Sequence, residues 1–130
     1  MSIIQGGSTA TKTGKQFEIV CRSLLTNPEL KVRVYYNHTN YYKPDAVTDT
    51  MVLEFKYQQV GGSAKNKLTQ ALFELDYMGD ILQKTPILVY EGEILEHFTQ
   101  NDPGFLRARR ACPDVLVINR ETLQTICEVN

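Results

Sequence analysis

Cysteine and histidine are scarce in this sequence. The three cysteines, Cys21, Cys112 and Cys127, are an odd number without a CxxC pair, and the chain has only two histidines. These counts argue against both a disulfide framework and a zinc site. A reducing cytoplasm fits such thiols best. Cys21 lies on an apolar helix face and is predicted to be a buried structural thiol.

Long apolar runs, repeats and low-complexity tracts are also missing. No apolar run approaches the roughly 20 residues of a membrane helix, and the N-terminus lacks the basic-then-apolar pattern of a signal peptide. Hydrophobic residues at 42% and charged residues at 22% are typical of a soluble globular protein. At 130 residues the chain is expected to form one domain, residues 1–130, with residues 1–11 as a loose arm.

An excess of positive charge is absent too, because the formal net charge is −1. That lowers the odds of a DNA-binding protein only modestly, since affinity depends on a local basic patch and metal-binding acids count against the total. Gly61-Gly62 lacks the G-x-x-x-x-G-K-[ST] spacing, which excludes a P-loop, and no G-x-S-x-G elbow is present.

The stretch from Lys43 to Lys67 is the most informative part of the chain. From Thr50 to Gln58 it alternates like a half-buried strand. One side carries Met51, Leu53, Phe55 and Tyr57, and the other carries Val52, Glu54, Lys56 and Gln58. A carboxylate and an ammonium in the middle of so apolar a strand indicate a wet face that does chemistry.

Asp45 supplies a second acid on the preceding extended segment, because Pro44 disfavours helix in the residue before it. If the two segments pair as neighbouring strands, the carboxylates of Asp45 and Glu54 meet over one edge of a sheet. Two oxygen-donor acids suit a hard divalent ion such as Mg²⁺, and Lys56 then points at the same spot. Gln58 shares that face and is predicted to position phosphate or water.

Pro44-Asp45 followed by Glu54-Phe55-Lys56 resembles the PD-(D/E)xK nuclease superfamily, which has the restriction-endonuclease-like fold. The motif straddles two predicted strands, a helix carrying Glu18 precedes it, and a long helix follows. The resemblance implies a three-layer α/β/α sandwich with a central mixed β-sheet, antiparallel through the Asp45 and Glu54 strands and parallel beyond.

The resemblance also implies Mg²⁺-dependent hydrolysis of phosphodiester bonds in DNA, with Mn²⁺ as a substitute ion. Asp45, Glu54 and the Phe55 carbonyl would hold the metal, and Lys56 would orient or deprotonate the attacking water. Glu18 would be an auxiliary acid, although Glu18 and Arg22 also have the spacing of a solvent-facing ion pair.

Helical and strand patterns extend over most of the chain. A helix is predicted from Thr13, as N-cap, to Asn27-Pro28, and a second from Ala64 to about Leu82. His38 to Tyr42 is predicted to be a turn, and Asn101 to Gly104 another. Further strands are predicted over Lys31 to Tyr36, Thr85 to Tyr90 and Asp114 to Ile118, and further helices over Glu93 to Gln100 and Glu121 to Val129.

Two positive segments are candidates for DNA contact. Ser63 is predicted to cap the long helix, where Lys65 and Lys67 would face a phosphate at the helix N-terminus, or would simply be solvated. Arg107, Arg109 and Arg110 form the densest positive segment, either a phosphate-binding surface or a solvated face.

The patterns leave the substrate and assembly open. Within nucleases, restriction or homing enzymes and structure-specific enzymes such as Holliday-junction resolvases remain alternatives, as do a non-cutting DNA-binding protein and a structural protein with a Glu54–Lys56 ion pair. A homo-oligomer, dimer or tetramer, is expected because one chain carries one strand-cutting site. Tyr77 and Phe98 are candidates for its interface.

Overall fold

The computed structural model describes residues 9–58 and 64–129, and within these ranges it contains five helices and six strands. The helices are α1 (Thr9–Ser23), α2 (Ala64–Leu82), α3 (Glu93–Asn101), α4 (Pro103–Ala111) and α5 (Arg120–Val129). The strands are β1 (Val34–Tyr35), β2 (Tyr41–Tyr42), β3 (Ala46–Val47), β4 (Met51–Tyr57), β5 (Thr85–Glu91) and β6 (Leu116–Asn119).

Four strands form a mixed sheet in the order β3-β4-β5-β6. β3 runs antiparallel to β4, with Ala46 opposite Leu53, whereas β4, β5 and β6 are parallel. The predicted strand directions are therefore confirmed: the Asp45 and Glu54 segments pair antiparallel, and the strands beyond are parallel. Because β5 is an inner strand of the sheet and is buried from Pro86 to Tyr90, its nearly continuous apolar sequence is the one that such a position requires.

Helices cover both faces of this sheet, and each face has its own core. Helices α2, α3 and α4 pack on one face around buried residues that include Val52, Leu72 and Leu88. Helices α1 and α5 pack on the other face, around Leu53 and Val89. The alternation predicted for β4 is thus observed, and Glu54, Lys56 and Gln58 share the side of Val52.

The segment from Lys31 to Tyr36 was predicted to be a strand of the sheet, and this is wrong. Only Val34 and Tyr35 are in strand conformation, and they pair with Tyr41 and Tyr42 in a separate two-stranded hairpin. Asn37 closes its turn, since its side-chain oxygen accepts hydrogen bonds from the backbone N–H groups of Thr39 and Asn40. The observed connection is residues 36–40, so Tyr41 and Tyr42, which were predicted to lie in the turn, belong to β2.

Two helix boundaries also differ from the predictions. α1 already includes Thr9, so Thr13 lies inside the helix and is not its N-cap, and the predicted arm overlaps the helix. The predicted turn around Asp102 instead starts α4, because the Asp102 carboxylate accepts a hydrogen bond from the N–H of Phe105 and Pro103 occupies the first turn.

The three cysteines are free, and Cys21 and Cys112 are buried. Burial raises the pKa of Cys21 to about 12, which makes it an unreactive thiol in the α1 core and confirms its predicted structural role. None of the helices in the described ranges is long and apolar enough to span a bilayer.

Candidate functional site: a carboxylate pair at the β3–β4 edge

Asp45 and Glu54, here called the acid pair, meet where β3 begins beside the middle of β4. The N–H of Asp45 donates to the Leu53 carbonyl and to Oε1 of Glu54, each at 3.0 Å. In return, the N–H of Phe55 donates to Oδ2 of Asp45 at 2.7 Å. The backbone of each strand thus holds the carboxylate of the other, as the predicted pairing of the two segments requires.

The surroundings of the acid pair oppose negative charge. Burial raises the pKa of Glu54 to about 7, and the neighbouring charge of Asp45 adds to this effect. Burial also raises the pKa of Asp45, as does the charge of Glu18, against the opposing influence of the Phe55 N–H, Lys56 and Arg22. A bound cation would stabilise the ionised form of both half-buried carboxylates and so oppose these effects on their pKa values.

Lys56 lies beside the acid pair, as predicted from strand alternation. Its Nζ is 3.4 Å from Oε2 of Glu54, and the side chains of Lys56 and Glu54 are 25% and 15% exposed. The face is less wet than expected, because α2 covers it and buries both Val52 and Gln58. The ammonium therefore reaches the carboxylate from a partly covered position at the sheet edge.

Glu18 and Arg22 approach the same site from α1. They form the predicted ion pair at 3.0 Å, and both side chains are about one-third exposed, at 35% and 32%. Both charges also act on Asp45, Glu18 raising and Arg22 lowering its pKa. The ion pair and the auxiliary role are therefore compatible, because the two paired charges both act on Asp45.

Arg22 is the neighbour of this site that the sequence interpretation missed. Its Nε is buried and has no hydrogen-bond partner within the described part of the chain. The only sequence signal was its position four residues after Glu18, which also fits a solvated pair. Its proximity to Asp45 arises from the way α1 crosses the sheet, which no local pattern encodes.

Gln58 has a structural contact that differs from its predicted role. Its side-chain Oε1 accepts a 2.8 Å hydrogen bond from the backbone N–H of Lys65, in the first turn of α2, and the residue is buried. Gly92 packs against Gln58 from the end of β5, since a Cβ at Gly92 would lie 2.1 Å from the Gln58 carbonyl oxygen. Gln58 therefore anchors the start of α2 to the sheet.

The oxygen atoms at the acid pair suit a small hard cation. The two backbone hydrogen bonds use the other oxygen of each carboxylate, so Oδ1 of Asp45 and Oε2 of Glu54 are not engaged by them. The Phe55 carbonyl points to the same side of β4 as its N–H, which contacts Asp45. Within the described ranges no three His, Cys, Asp or Glu side chains converge, so an ion would complete its shell with backbone oxygen and water, as Mg²⁺ does.

The two predicted basic segments lie in different places. Lys65 and Lys67 are exposed in the first turn of α2, the end that Gln58 ties to the site. Arg109 and Arg110 are exposed in the last turn of α4. The chain then continues into β6, whose Leu116 lies opposite Ile87 near the start of β5. Arg107 is exposed just before the last turn of α4, and Ser63 lies outside the described residues.

The predicted interface residues pack within their own chain. Tyr77 makes an edge contact with Tyr42, and its hydroxyl lies 3.4 Å from the Tyr35 carbonyl. Phe98 packs on Phe105 of α4. Both side chains are partly buried against the α2-side core, so each already has an intramolecular role.

No protein-family model, curated protein or solved structure matches the chain.

Proposed function

We propose that this protein is a Mg²⁺-dependent DNA endonuclease with the restriction-endonuclease-like fold. The observation that carries the proposal is the acid pair, whose carboxylates are held together by backbone hydrogen bonds although burial raises the pKa of both and the charge of Asp45 raises the pKa of Glu54 further. An apolar pair would stabilise this edge of the sheet better, because buried charges are costly unless they are paired or bind a metal.

The residues at and around the acid pair would have different roles in the reaction. Asp45, Glu54 and the Phe55 carbonyl would hold the ion, which would lower the pKa of water and polarise the scissile phosphate. Lys56 orients the attacking water and neutralises charge that develops on the phosphate oxygens, since its ammonium lies beside Glu54. Glu18, whose charge acts on Asp45 from α1, would be the auxiliary acid.

The start of α2 is the proposed phosphate-binding surface. Lys65 and Lys67 are exposed there, at the positive end of the helix dipole, and both features attract an anion. Replacing both lysines with glutamine should weaken DNA binding and reduce its salt dependence by about one unit of slope for each phosphate that the protein no longer neutralises. The same change at Arg109 and Arg110 tests whether DNA extends along α4.

Cleavage of supercoiled plasmid tests the proposal directly. The parent protein should nick DNA with Mg²⁺ or Mn²⁺ and not in excess EDTA, whereas Ca²⁺ should support binding without cutting. Asp45→Asn should abolish nicking. Asp49→Asn is the matched control, because this exposed aspartate lies in the β3–β4 turn at the other end of the strands.

Three results separate the proposal from its alternatives. Nicking by Asp45→Asn at the parent rate would refute the metal site. Metal-independent DNA binding without cutting by the parent would indicate a binding protein with a nuclease-like fold. For double-strand cleavage we propose a working form of two or more copies, which light scattering with and without DNA would detect.

A further inference from the structure

The hairpin of β1 and β2 has one face packed on the core and one face in solvent. Val34 is buried and Tyr42 is half-buried, both against the α2-side core. The residues on the opposite face are exposed, with Tyr35 at 46% and Tyr41 at 37%. We call this the outer hairpin face, and it consists of Arg33, Tyr35, Tyr41 and Lys43.

The outer hairpin face is basic in a protein that is slightly acidic overall. Between Leu30 and Pro44 the chain contains Lys31, Arg33 and Lys43 and no aspartate or glutamate. The Arg33 guanidinium lies 4.8 Å from the ring centroid of Tyr41. The Tyr35 and Tyr41 rings are adjacent, with centroids 5.2 Å apart. Aromatic rings and cations are therefore interleaved on one solvent-exposed surface.

This surface is attached to the protein on its inner side and leads directly to the acid pair. Tyr42 packs against Tyr36 and against Tyr77 of α2, and the contact with Tyr77 attaches the hairpin to that helix. Only Pro44 separates Lys43 from Asp45, so the Cα atoms of these two residues are at most about 7 Å apart. A strand bound on the outer hairpin face would lie within reach of the acid pair.

We propose that the outer hairpin face binds unpaired nucleotides of the DNA substrate, with bases stacked on Tyr35 and Tyr41 and phosphates contacted by Arg33 and Lys43. Exposed rings between cations are the usual surface for single-stranded DNA, because every unpaired base offers a flat face. In an intact duplex those base faces are stacked on each other and cannot reach the rings. The substrate class is thus DNA with a single-stranded segment, such as a flap or a fork.

The inference rests on the proposed function, because it names the form of DNA that the acid pair would receive. Its test is a binding measurement in EDTA, which needs neither metal nor cleavage. The probes are a fluorescent oligothymidylate, a duplex of matched length, and an abasic oligomer that keeps the phosphate charges. The parent should prefer the oligothymidylate over both others, by about 5- to 150-fold for each stacked base relative to the abasic strand.

Paired substitutions separate stacking from hairpin stability. Tyr35→Leu/Tyr41→Leu keeps a cross-strand apolar pair but should lose the preference for the oligothymidylate, whereas Tyr35→Phe/Tyr41→Phe should retain it. The Tyr77 hydroxyl contacts the backbone carbonyl of Tyr35, so this anchor is present in both variants. Circular dichroism and melting temperature should confirm that the two proteins are folded alike.

The possible results distinguish failure of the inference about unpaired DNA from failure of the proposed nuclease function. Equal affinity of the parent for the abasic strand and the oligothymidylate, or equal affinities of the Leu and Phe variants for the oligothymidylate, would overturn the inference. A parent that prefers duplex would also overturn it. Selective binding of unpaired DNA by a protein that never cuts, with any divalent ion, would preserve the inference and reject the nuclease.

Discussion

The two faces of β4 differ in composition and in what they contribute. The face toward α1 and α5 buries Leu53 and Phe55 in a cluster of apolar side chains from these helices and the sheet. The face toward α2 starts equally apolar with buried Val52 but continues with Glu54 and Lys56, both half-buried beside Asp45. One face of β4 therefore stabilises the fold, whereas the other positions charged groups. Burial of those charged groups reduces stability.

The largest effect on stability is expected on the apolar face. Leu53 is fully buried between the sheet and α1, so Leu53→Ala should lower the free energy of unfolding by about 2–5 kcal/mol through reduced burial and a residual cavity. Urea denaturation measures this change. Lys56→Met should lower the free energy of unfolding far less, and an equal decrease in both variants would show that the two faces do not differ in role.

On the charged face of β4, removing a charge should raise the stability of the protein at neutral and higher pH, whereas Leu53→Ala lowers it. The pKa of Glu54 rises from 4.5 to about 7 on folding, so the native protein binds a proton that the unfolded chain releases between these values. Stability that is present at lower pH is then lost as pH rises through this range. At pH 8, Glu54→Gln should stabilise the metal-free protein by on the order of 3 kcal/mol.

Thermal melts across pH provide the check. The parent and Glu54→Gln should have similar stability near pH 4, where the parent carboxyl is protonated, and should diverge as the pH rises. Mg²⁺ should raise the melting temperature of the parent at pH 8 and should have little effect on Glu54→Gln. A parent whose stability rises steadily from pH 5 to pH 8 would contradict the raised pKa of Glu54.

The contrast between local and long-range information explains which features the sequence predicts. β4 and α2 follow from their periodicity, and the Asp45–Glu54 contact follows from pairing two adjacent strands. Asp102-Pro103 is a local helix-start signal that the interpretation as a turn overlooked. The short hairpin and the approach of Arg22 to Asp45 depend on packing between distant segments, which no local pattern contains.

A smaller effect is expected at Lys56, which acts on the reaction and contributes little to the core. Lys56→Met should slow cutting by about 10²-fold because the ammonium beside Glu54 is removed, while affinity for DNA in Ca²⁺ stays unchanged. Single-turnover cleavage with saturating enzyme separates the two quantities. Lys15→Met, at an exposed lysine of α1, is the control. A parallel decrease of binding and cutting in Lys56→Met would make Lys56 a substrate-binding residue instead.

The smallest effect on stability is expected at Gln58. This residue lies at the end of the charged face of β4 and has a structural contact. Its Oε1 accepts the Lys65 N–H, so Gln58→Met should cost about 1 kcal/mol of stability, the usual value for removing a helix N-cap. Gln70→Met removes an exposed glutamine that bonds Glu74 on the same helix, and it should cost only a few tenths of a kcal/mol. Hydrogen exchange at the Lys65 amide should accelerate in Gln58→Met alone. If that amide keeps its protection while cutting fails, Gln58 belongs with Glu54 and Lys56 in the chemistry, and the division between the two faces extends to the end of the strand.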